Sequence, residues 1–153
     1  MQRSLLFVCA LNTCRSIIGH AVFDYIIEHT HIALQVASAG IWATDGLSCD
    51  AQAQAVATRR GYDLSIYSSN ALASVSAEDY SNVYIFEQAH FEPVRHWLGG
   101  RRVPEYIMNY SKYFGNQQVL MQAHSDIAYT RMFDLIEDGC FGLYKQLCAE
   151  REQ

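Results

Sequence analysis

Short apolar runs typical of β-strands alternate with longer helical segments along this chain of 153 residues. Four runs have the length and composition of buried strands, at 4–8, 34–37, 83–86 and 106–109. Four further segments have helical periodicity, at about 15–29, 50–60, 91–98 and 125–148. Strands separated by helices pair in parallel, because the helix provides the crossover. We therefore expect one α/β domain over residues 1–153, with a four-stranded parallel sheet flanked by helices.

Composition and charge exclude several classes of protein. Hydrophobic residues make up 50% of the chain and charged residues 18%, which argues against disorder. The net charge of −5 argues against nucleic acid or an anionic membrane as the main partner. No apolar stretch approaches the ~20 residues of a membrane span, and no N-terminal targeting signal is recognised. Five scattered cysteines, none with zinc spacing, predict reduced thiols in a cytoplasmic protein without a metal or cofactor.

The segment after the first predicted strand concentrates the reactive residues, and it reads Val8-Cys9-Ala10-Leu11-Asn12-Thr13-Cys14-Arg15-Ser16. A loop that enters a helix N-terminus directs unpaired N–H groups into one concavity at the positive end of the helix dipole. Arg15 adds a guanidinium that can hold two oxygens of a phosphate. The same field favours the thiolate form of Cys9, which could then attack a bound phosphoryl group and form a phosphocysteine. Alternatively, Cys9 ends a buried strand, Cys14 packs and Arg15 is an ordinary surface residue.

This stretch resembles the signature of the low-molecular-weight protein tyrosine phosphatases, which is Val-Cys-x-Gly-Asn-x-Cys-Arg-Ser-Pro directly after the first strand. The segments 38–40 (Ser-Ala-Gly) and 61–65 (Gly-Tyr-Asp-Leu-Ser) resemble two further elements of the family, so the resemblance covers nearly the whole chain. It implies a four-stranded parallel sheet with the phosphate-binding loop after the first strand. It also implies hydrolysis of phosphotyrosine in a protein or of a small aryl phosphate. We expect a monomer or a weak dimer.

The resemblance also implies a role for each matching residue. Cys9 would be the nucleophile and Arg15 the ligand of the phosphate and the transition state. The implied phosphate- and substrate-binding residues are Ala10, Leu11, Asn12, Thr13, Cys14, Ser16, Ser38 and Trp42. Within this set, Asn12 and Ser16 would shape the loop, and Cys14 could form a reversible disulfide with the nucleophile under oxidation. Trp42 is either a wall of the pocket for a flat aromatic substrate or a partly buried core residue.

Two departures from the family pattern concern the chemistry. Leu11 replaces the loop glycine and restricts the backbone at a position where a positive φ can be needed. The family keeps its general acid in an Asp-Pro pair before the last helix, and this chain has no Asp-Pro. The nearest acid is Asp126, which either protonates the leaving group or caps the last helix, and His124 is a further candidate. The preceding stretch, 110–124, is predicted to be a long surface loop.

Three functions are compatible with these residues. The first is an active phosphotyrosine phosphatase, and the second is a catalytically impaired relative that binds phosphate or a phosphoprotein as a regulatory module. The third is a thiol-dependent arsenate reductase, which needs additional cysteines near the third strand. Residues 62–139 contain no cysteine, which disfavours the third function. The histidines without metal-ligand spacing are expected to be solvated or capping side chains, and they are His29, His31, His90 and His96.

Overall fold

A computed structural model describes residues 3–115, 117–121 and 125–151. The longer elements are β1 (Arg3–Cys9), α1 (Arg15–Thr30), β2 (Leu34–Gly40), α2 (Ala51–Arg59), β3 (Asn82–Ile85), α3 (Phe91–Trp97), β4 (Glu105–Tyr106) and α4 (Asp126–Arg151). Short 3-10 turns occupy several of the connections between them. No helix in the described ranges is long and apolar enough to cross a membrane.

The four strands form one parallel sheet in the order β2-β1-β3-β4. β1 is central and buried from Leu5 to Cys9. Its side chains alternate between two apolar layers: Phe7 packs in the layer that includes α1, α2 and α4, and Leu6 packs in the layer that includes α3. The predicted four-stranded parallel sheet flanked by helices is therefore confirmed.

The parallel arrangement brings the carboxyl ends of the strands to one edge of the sheet. Cys9, the last residue of β1, lies opposite Gly40, the last residue of β2. Ligands of open α/β sheets bind in the crevice outside this edge, where the loops after neighbouring strands converge. The loop after β1 therefore begins where a binding site is expected on topological grounds.

The prediction of a fourth strand over 106–109 is wrong in its extent. Only β4 pairs with the sheet, and Ile107–Tyr110 forms a 3-10 turn that packs against α4. The approach is close because α4 presents Gly142 there: a Cβ at that position would lie 1.7 Å from the carbonyl oxygen of Tyr110. Ile107 is fully buried in this contact, so its apolar character reflects helix packing and not strand pairing.

Candidate active site

The loop after β1 is fastened to the end of β2 by backbone hydrogen bonds. The amide of Ile41 donates to the carbonyl of Cys9, and the amide of Trp42 donates to that of Ala10, both at 2.9 Å. Gly40 makes this approach possible, because a Cβ there would lie 2.7 Å from backbone atoms of the loop. The Ser-Ala-Gly element of the sequence thus ends in a glycine against which the loop after β1 packs.

The left-handed backbone conformation of the loop falls on Asn12 (φ 54°) and not on Leu11. Asparagine tolerates this region better than most residues other than glycine. Leu11 accordingly directs its side chain outward, with 55% of its surface exposed. Replacement of the family's glycine by Leu11 therefore imposes no positive φ on a bulky residue, and the loop closes as it does because Asn12 makes the turn.

The thiol of Cys9 is buried and lies 3.0 Å from the hydroxyl oxygen of Ser16. The Asn12 side-chain amide donates to that same oxygen at 2.6 Å, which leaves the hydroxyl proton of Ser16 free to point at the sulfur. The side-chain oxygen of Asn12 accepts a hydrogen bond from the backbone N–H of Asn70 at 2.8 Å. This bond holds the Asn12 side chain in the position from which it contacts Ser16. Ser16 can therefore donate a hydrogen bond to the Cys9 sulfur.

The N-terminus of α1 has backbone donors to offer. Its N-cap residue, Cys14, makes no side-chain capping hydrogen bond, and the first turn contains no acidic residue. The first hydrogen bond of the helix runs from the amide of Ile18 to the carbonyl of Cys14, at 2.9 Å. The N–H groups before Ile18 therefore lack partners within the helix and lie at the positive end of its dipole. A helix N-terminus of this kind can bind an anion even where the net charge of the protein is negative.

Arg15 is buried, with 3% of its surface exposed, so the interpretation of it as an ordinary surface residue is wrong. Its Nη1 donates to the carboxylate of Glu87 and, at 2.8 Å, to the carbonyl of Val119. Its Nε is also buried and has no hydrogen-bond partner among the described residues. A buried, unpaired guanidinium N–H is costly unless an acceptor occupies the site, and the oxygen of an anion is such an acceptor.

Glu87 and His90 form a second polar pair next to Arg15, and neither was predicted from the sequence to lie there. Glu87 follows β3 at the carboxyl edge of the sheet, and His90 Nε2 lies 3.7 Å from its carboxylate. His90 is 1% exposed, so the expectation that it is solvated or capping is wrong. Burial, together with the neighbouring Arg15, lowers the pKa of His90 to about 4, so the ring is neutral near pH 7. The position of Glu87 directly after a predicted parallel strand was the available signal.

A small cavity of about 60 Å³ lies over the loop, and its lining consists of Cys9, Ala10, Leu11, Thr13, Cys14, Arg15 and Met121. The stretch predicted as a surface loop contributes to this region: Met121 lines the cavity, and Val119 is 1% exposed. Val119 is held by its amide, which donates to the carbonyl of Phe86 at 2.7 Å. The description of 110–124 as surface alone is therefore incomplete.

Among the described residues, no group of three His, Cys, Asp or Glu side chains could hold a metal.

Four predicted binding residues are not among those that line the cavity, and they are Asn12, Ser16, Ser38 and Trp42. The hydroxyl of buried Ser38 lies 3.0 Å from Nδ1 of His20. Trp42 is 61% exposed, which rules out the interpretation of it as a core residue. Its backbone bond to Ala10 keeps it next to the loop, where its ring is available to a substrate that extends beyond the cavity.

Asp126 does not lie among the residues that line the cavity. It is the first residue of α4, its side chain is 67% exposed, and it forms an ion pair with Arg59 at 2.6 Å. The other candidate acid, His124, lies outside the described residues. The structure thus brings Cys9 and Arg15 together with the loop and leaves Asp126 in a surface ion pair, so a catalytic role for Asp126 stays a prediction.

Comparison with known proteins identifies the class. The family model of the low molecular weight phosphotyrosine protein phosphatases matches residues 4–153, so the chain belongs to that family. A Klebsiella pneumoniae protein named as a low molecular weight protein-tyrosine-phosphatase is 26% identical over 119 residues, which is 69% of this chain and 80% of that protein. The predicted family membership and the prediction of a phosphatase enzyme are confirmed.

Solved structures share the fold. The tyrosine phosphatase Wzb of Escherichia coli K30, in complex with sulphate, superposes with a TM-score of 0.78 at 22% identity and covers 96% of this chain and 99% of its own. The arginine phosphatase YwlE, known from Bacillus subtilis, gives a TM-score of 0.86 at 24% identity and covers 97% of this chain and 98% of its own. At these identities the likeness supports the fold and leaves the substrate to be argued from the site.

Proposed function

We propose that this phosphatase hydrolyses phosphotyrosine and other aryl phosphate monoesters through a phosphocysteine formed on Cys9. The observation that carries the proposal is the buried pair of Cys9 and Arg15 on one small cavity. One supplies a sulfur next to a hydroxyl donor, and the other a guanidinium with an unpaired N–H. Together with the free amides of α1, they provide a nucleophile and an anion site within one loop.

In the first step, the phosphate dianion binds to the loop amides and to Arg15. The Cys9 thiolate then attacks phosphorus from the side opposite the leaving oxygen, so that a sulfur–phosphorus bond forms as the ester bond breaks. Arg15 and the amides of α1 stabilise the charge on the equatorial oxygens. Water completes the cycle by releasing inorganic phosphate from Cys9. The structure of the arginine phosphatase YwlE, which has a similar fold, is of a cysteine-to-serine variant whose active-site serine is phosphorylated. That covalent group supports an analogous covalent step here.

The leaving group determines which esters can react. No carboxylic acid lines the described part of the cavity, because Asp126 is paired with Arg59 on the surface. A phenolate, whose conjugate acid has a pKa of ~10, departs with less protonation than an alkoxide does. We therefore infer a preference for aryl over alkyl phosphates. The exposed ring of Trp42 and the apolar side chains of Leu11 and Met121 would contact an aromatic substrate at the mouth.

The test compares wild type with Cys9→Ser on an activated aryl phosphate, a phosphotyrosine peptide and a phosphoserine peptide. We expect hydrolysis of the first two by wild type, slow or absent hydrolysis of the third, and no detectable turnover by Cys9→Ser. Cys148→Ser is the matched control, since Cys148 is a half-buried thiol on α4 outside the cavity lining. Equal rates for wild type and Cys9→Ser would refute the proposal. A phosphoarginine peptide belongs in the same panel, because YwlE is an arginine phosphatase.

A further inference from the structure

Three of the five cysteines are buried together around the phosphate-binding loop. Cys9, Cys14 and Cys49 are 3%, 4% and 5% exposed and belong to one apolar cluster. All three are free thiols. The function proposed above uses only Cys9, and Cys49, which lies two residues before α2, has no part in it.

A backbone hydrogen bond joins the chain at Cys49 to the chain at Cys14. The amide of Asp50 donates to the carbonyl of Thr13 at 2.8 Å. That amide belongs to the peptide unit after Cys49, and that carbonyl belongs to the peptide unit before Cys14. Standard backbone dimensions then place the two cysteine α-carbons at most about 8 Å apart. A disulfide spans ~4.4–6.8 Å between α-carbons, so the pair can be bridged with little backbone movement.

The sulfur atoms are also close enough to interact electrostatically. Burial, followed by the thiols of Cys49 and Cys9 and then by Asp50, raises the pKa of Cys14 well above its usual range. Burial and the Asp50 carboxylate raise the pKa of Cys49 to about 12, although the backbone N–H of Asp50 bonds to this sulfur and acts in the opposite direction.

We propose that Cys49 is a redox-active thiol that takes over the disulfide formed in the phosphate-binding loop and returns Cys9 to its free form. The proposal rests on the function above only in using Cys9 as the reactive thiolate. Its co-substrates are a hydroperoxide as oxidant and an external dithiol as reductant.

Oxidation and disulfide exchange take three steps. The Cys9 thiolate attacks the peroxide O–O bond, which leaves a sulfenic acid on Cys9 and releases hydroxide. The Cys14 sulfur then attacks the Cys9 sulfur, so that a Cys9–Cys14 disulfide forms and water departs. Cys49 next loses its proton to solvent and attacks the Cys14 sulfur, so that a Cys14–Cys49 disulfide forms and the Cys9 thiolate leaves. One peroxide is reduced by two electrons, Cys14 and Cys49 are oxidised, and a dithiol later reduces their bond.

The direction of the last exchange follows from the surroundings of the three sulfur atoms. In thiol–disulfide exchange the sulfur that better carries negative charge is the better leaving group. Cys9 has the hydroxyl of Ser16 at 3.0 Å from its sulfur and lines the same cavity as Arg15. Cys14 and Cys49 are buried among apolar side chains and acidic neighbours, which raise their pKa. The exchange therefore retains in the bond the two sulfur atoms whose thiolate forms are disfavoured, and it releases Cys9.

The experiment uses the full chain as wild type, Cys49→Ser, Cys49→Ala and the control Cys148→Ser. Each protein is reduced, freed of reductant, treated with one equivalent of hydrogen peroxide and sampled over time. Free thiols are alkylated, disulfide-linked peptides are identified by mass spectrometry, and aryl phosphatase activity is measured on the same samples. Thermal unfolding before oxidation establishes that the variants are folded.

Wild type and Cys148→Ser should accumulate the peptide pair linked through Cys14 and Cys49, with Cys9 alkylated. Both Cys49 variants should stop at the Cys9–Cys14 disulfide and retain several times less activity until a dithiol is added. If wild type also stops at Cys9–Cys14 and loses activity in parallel with the variants, the proposal is overturned, as it is if Cys49 pairs with Cys9. Absence of phosphatase activity in the reduced proteins would refute the proposed function alone, because the disulfide map remains readable.

Discussion

Substitution of Gly40 by alanine tests the contact that fixes the phosphate-binding loop against β2. The backbone φ of Gly40 is not in the left-handed region, so alanine is conformationally acceptable there and the effect is steric. The added Cβ would lie 2.7 Å from the amide nitrogen of Asn12 and the carbonyl carbon of Leu11, and 2.8 Å from the Cβ of Ala43. Two of these atoms are loop backbone, which must move away.

The size of the effect follows from this overlap. Forcing an extra carbon into a packed site costs about 1–3 kcal/mol of folding free energy. The loop also carries the proposed nucleophile, Cys9, and a displacement of about 1 Å at reacting atoms can lower the rate about 10²-fold. We therefore expect Gly40→Ala to lose activity more than stability, because most molecules remain folded at this cost.

Urea unfolding and kcat/KM on an activated aryl phosphate measure the two effects separately. Gly61→Ala is the matched control: Gly61 has φ +87° and no neighbour within 4 Å of its would-be Cβ. Alanine there should lower stability by about 1 kcal/mol through backbone strain and leave kcat/KM unchanged. Wild-type stability and activity in Gly40→Ala would refute the claim that this glycine positions the loop.

Three further predictions concern Ser16, Asp126 and His90. Ser16→Ala removes the hydroxyl next to the Cys9 sulfur, and we expect it to cost about 1.5–3 kcal/mol of transition-state stabilisation. This loss is measured as a fall in kcat, and thermal unfolding of the variant checks that it is folded. Asp126→Asn should change kcat less than about threefold for substrates with good and with poor leaving groups, because Asp126 is paired with Arg59. Loss of a general acid would lower kcat ~10²–10⁴-fold. A loss of activity confined to poor leaving groups would assign the acid role to Asp126. For His90, a folded-state pKa of about 4, below the ~6.5 of the unfolded chain, means that the unfolded state binds the proton first. The contribution of His90 to the free energy of unfolding should be fully present above about pH 6.5 and should fall by up to about 3 kcal/mol as the pH drops toward 4. Urea unfolding measured across this pH range should show a smaller change for His90→Gln than for wild type.

The sheet and the loop after β1 could be predicted because their signals are local in sequence. Each strand is a short β-rich run, and the reactive residues between Cys9 and Ser16 lie within one loop and one helical turn. The exception is the run after β4, where Ile107 is apolar for a different reason. It packs against Gly139 of α4, which stands 32 positions later in the chain, and periodicity within one segment does not contain that information.

The position of Glu87 after a predicted strand is visible in the sequence, but the pairing of Arg15 with Glu87 and Val119 could not be predicted, because these partners come from distant segments. Glu87 follows β3 and Val119 lies before α4, and both reach Arg15 only once the sheet has formed. The same holds for Asp126, whose pairing with Arg59 of α2 depends on the packing of two helices. Sequence identifies a charged residue, whereas the choice between a catalytic position and a surface ion pair is made by tertiary contacts.

The cysteines show the same division. The spacing of Cys9 and Cys14 marks them as one loop, but nothing in the sequence places Cys49 beside them. The hydrogen bond from Asp50 to Thr13 does so, across 37 positions of the chain. A third thiol at the site is thus a property of the fold, and it becomes a hypothesis only after the structure is known.

Trapping the covalent intermediate tests the central claim most directly. Wild-type protein is mixed with an excess of an activated aryl phosphate, quenched in acid during turnover and digested for mass spectrometry. We predict that the peptide containing Cys9 gains the mass of one phosphoryl group and that no other peptide does. Continued turnover without any phosphorylated Cys9 peptide, or a phosphoryl group found on a different residue, would contradict the account.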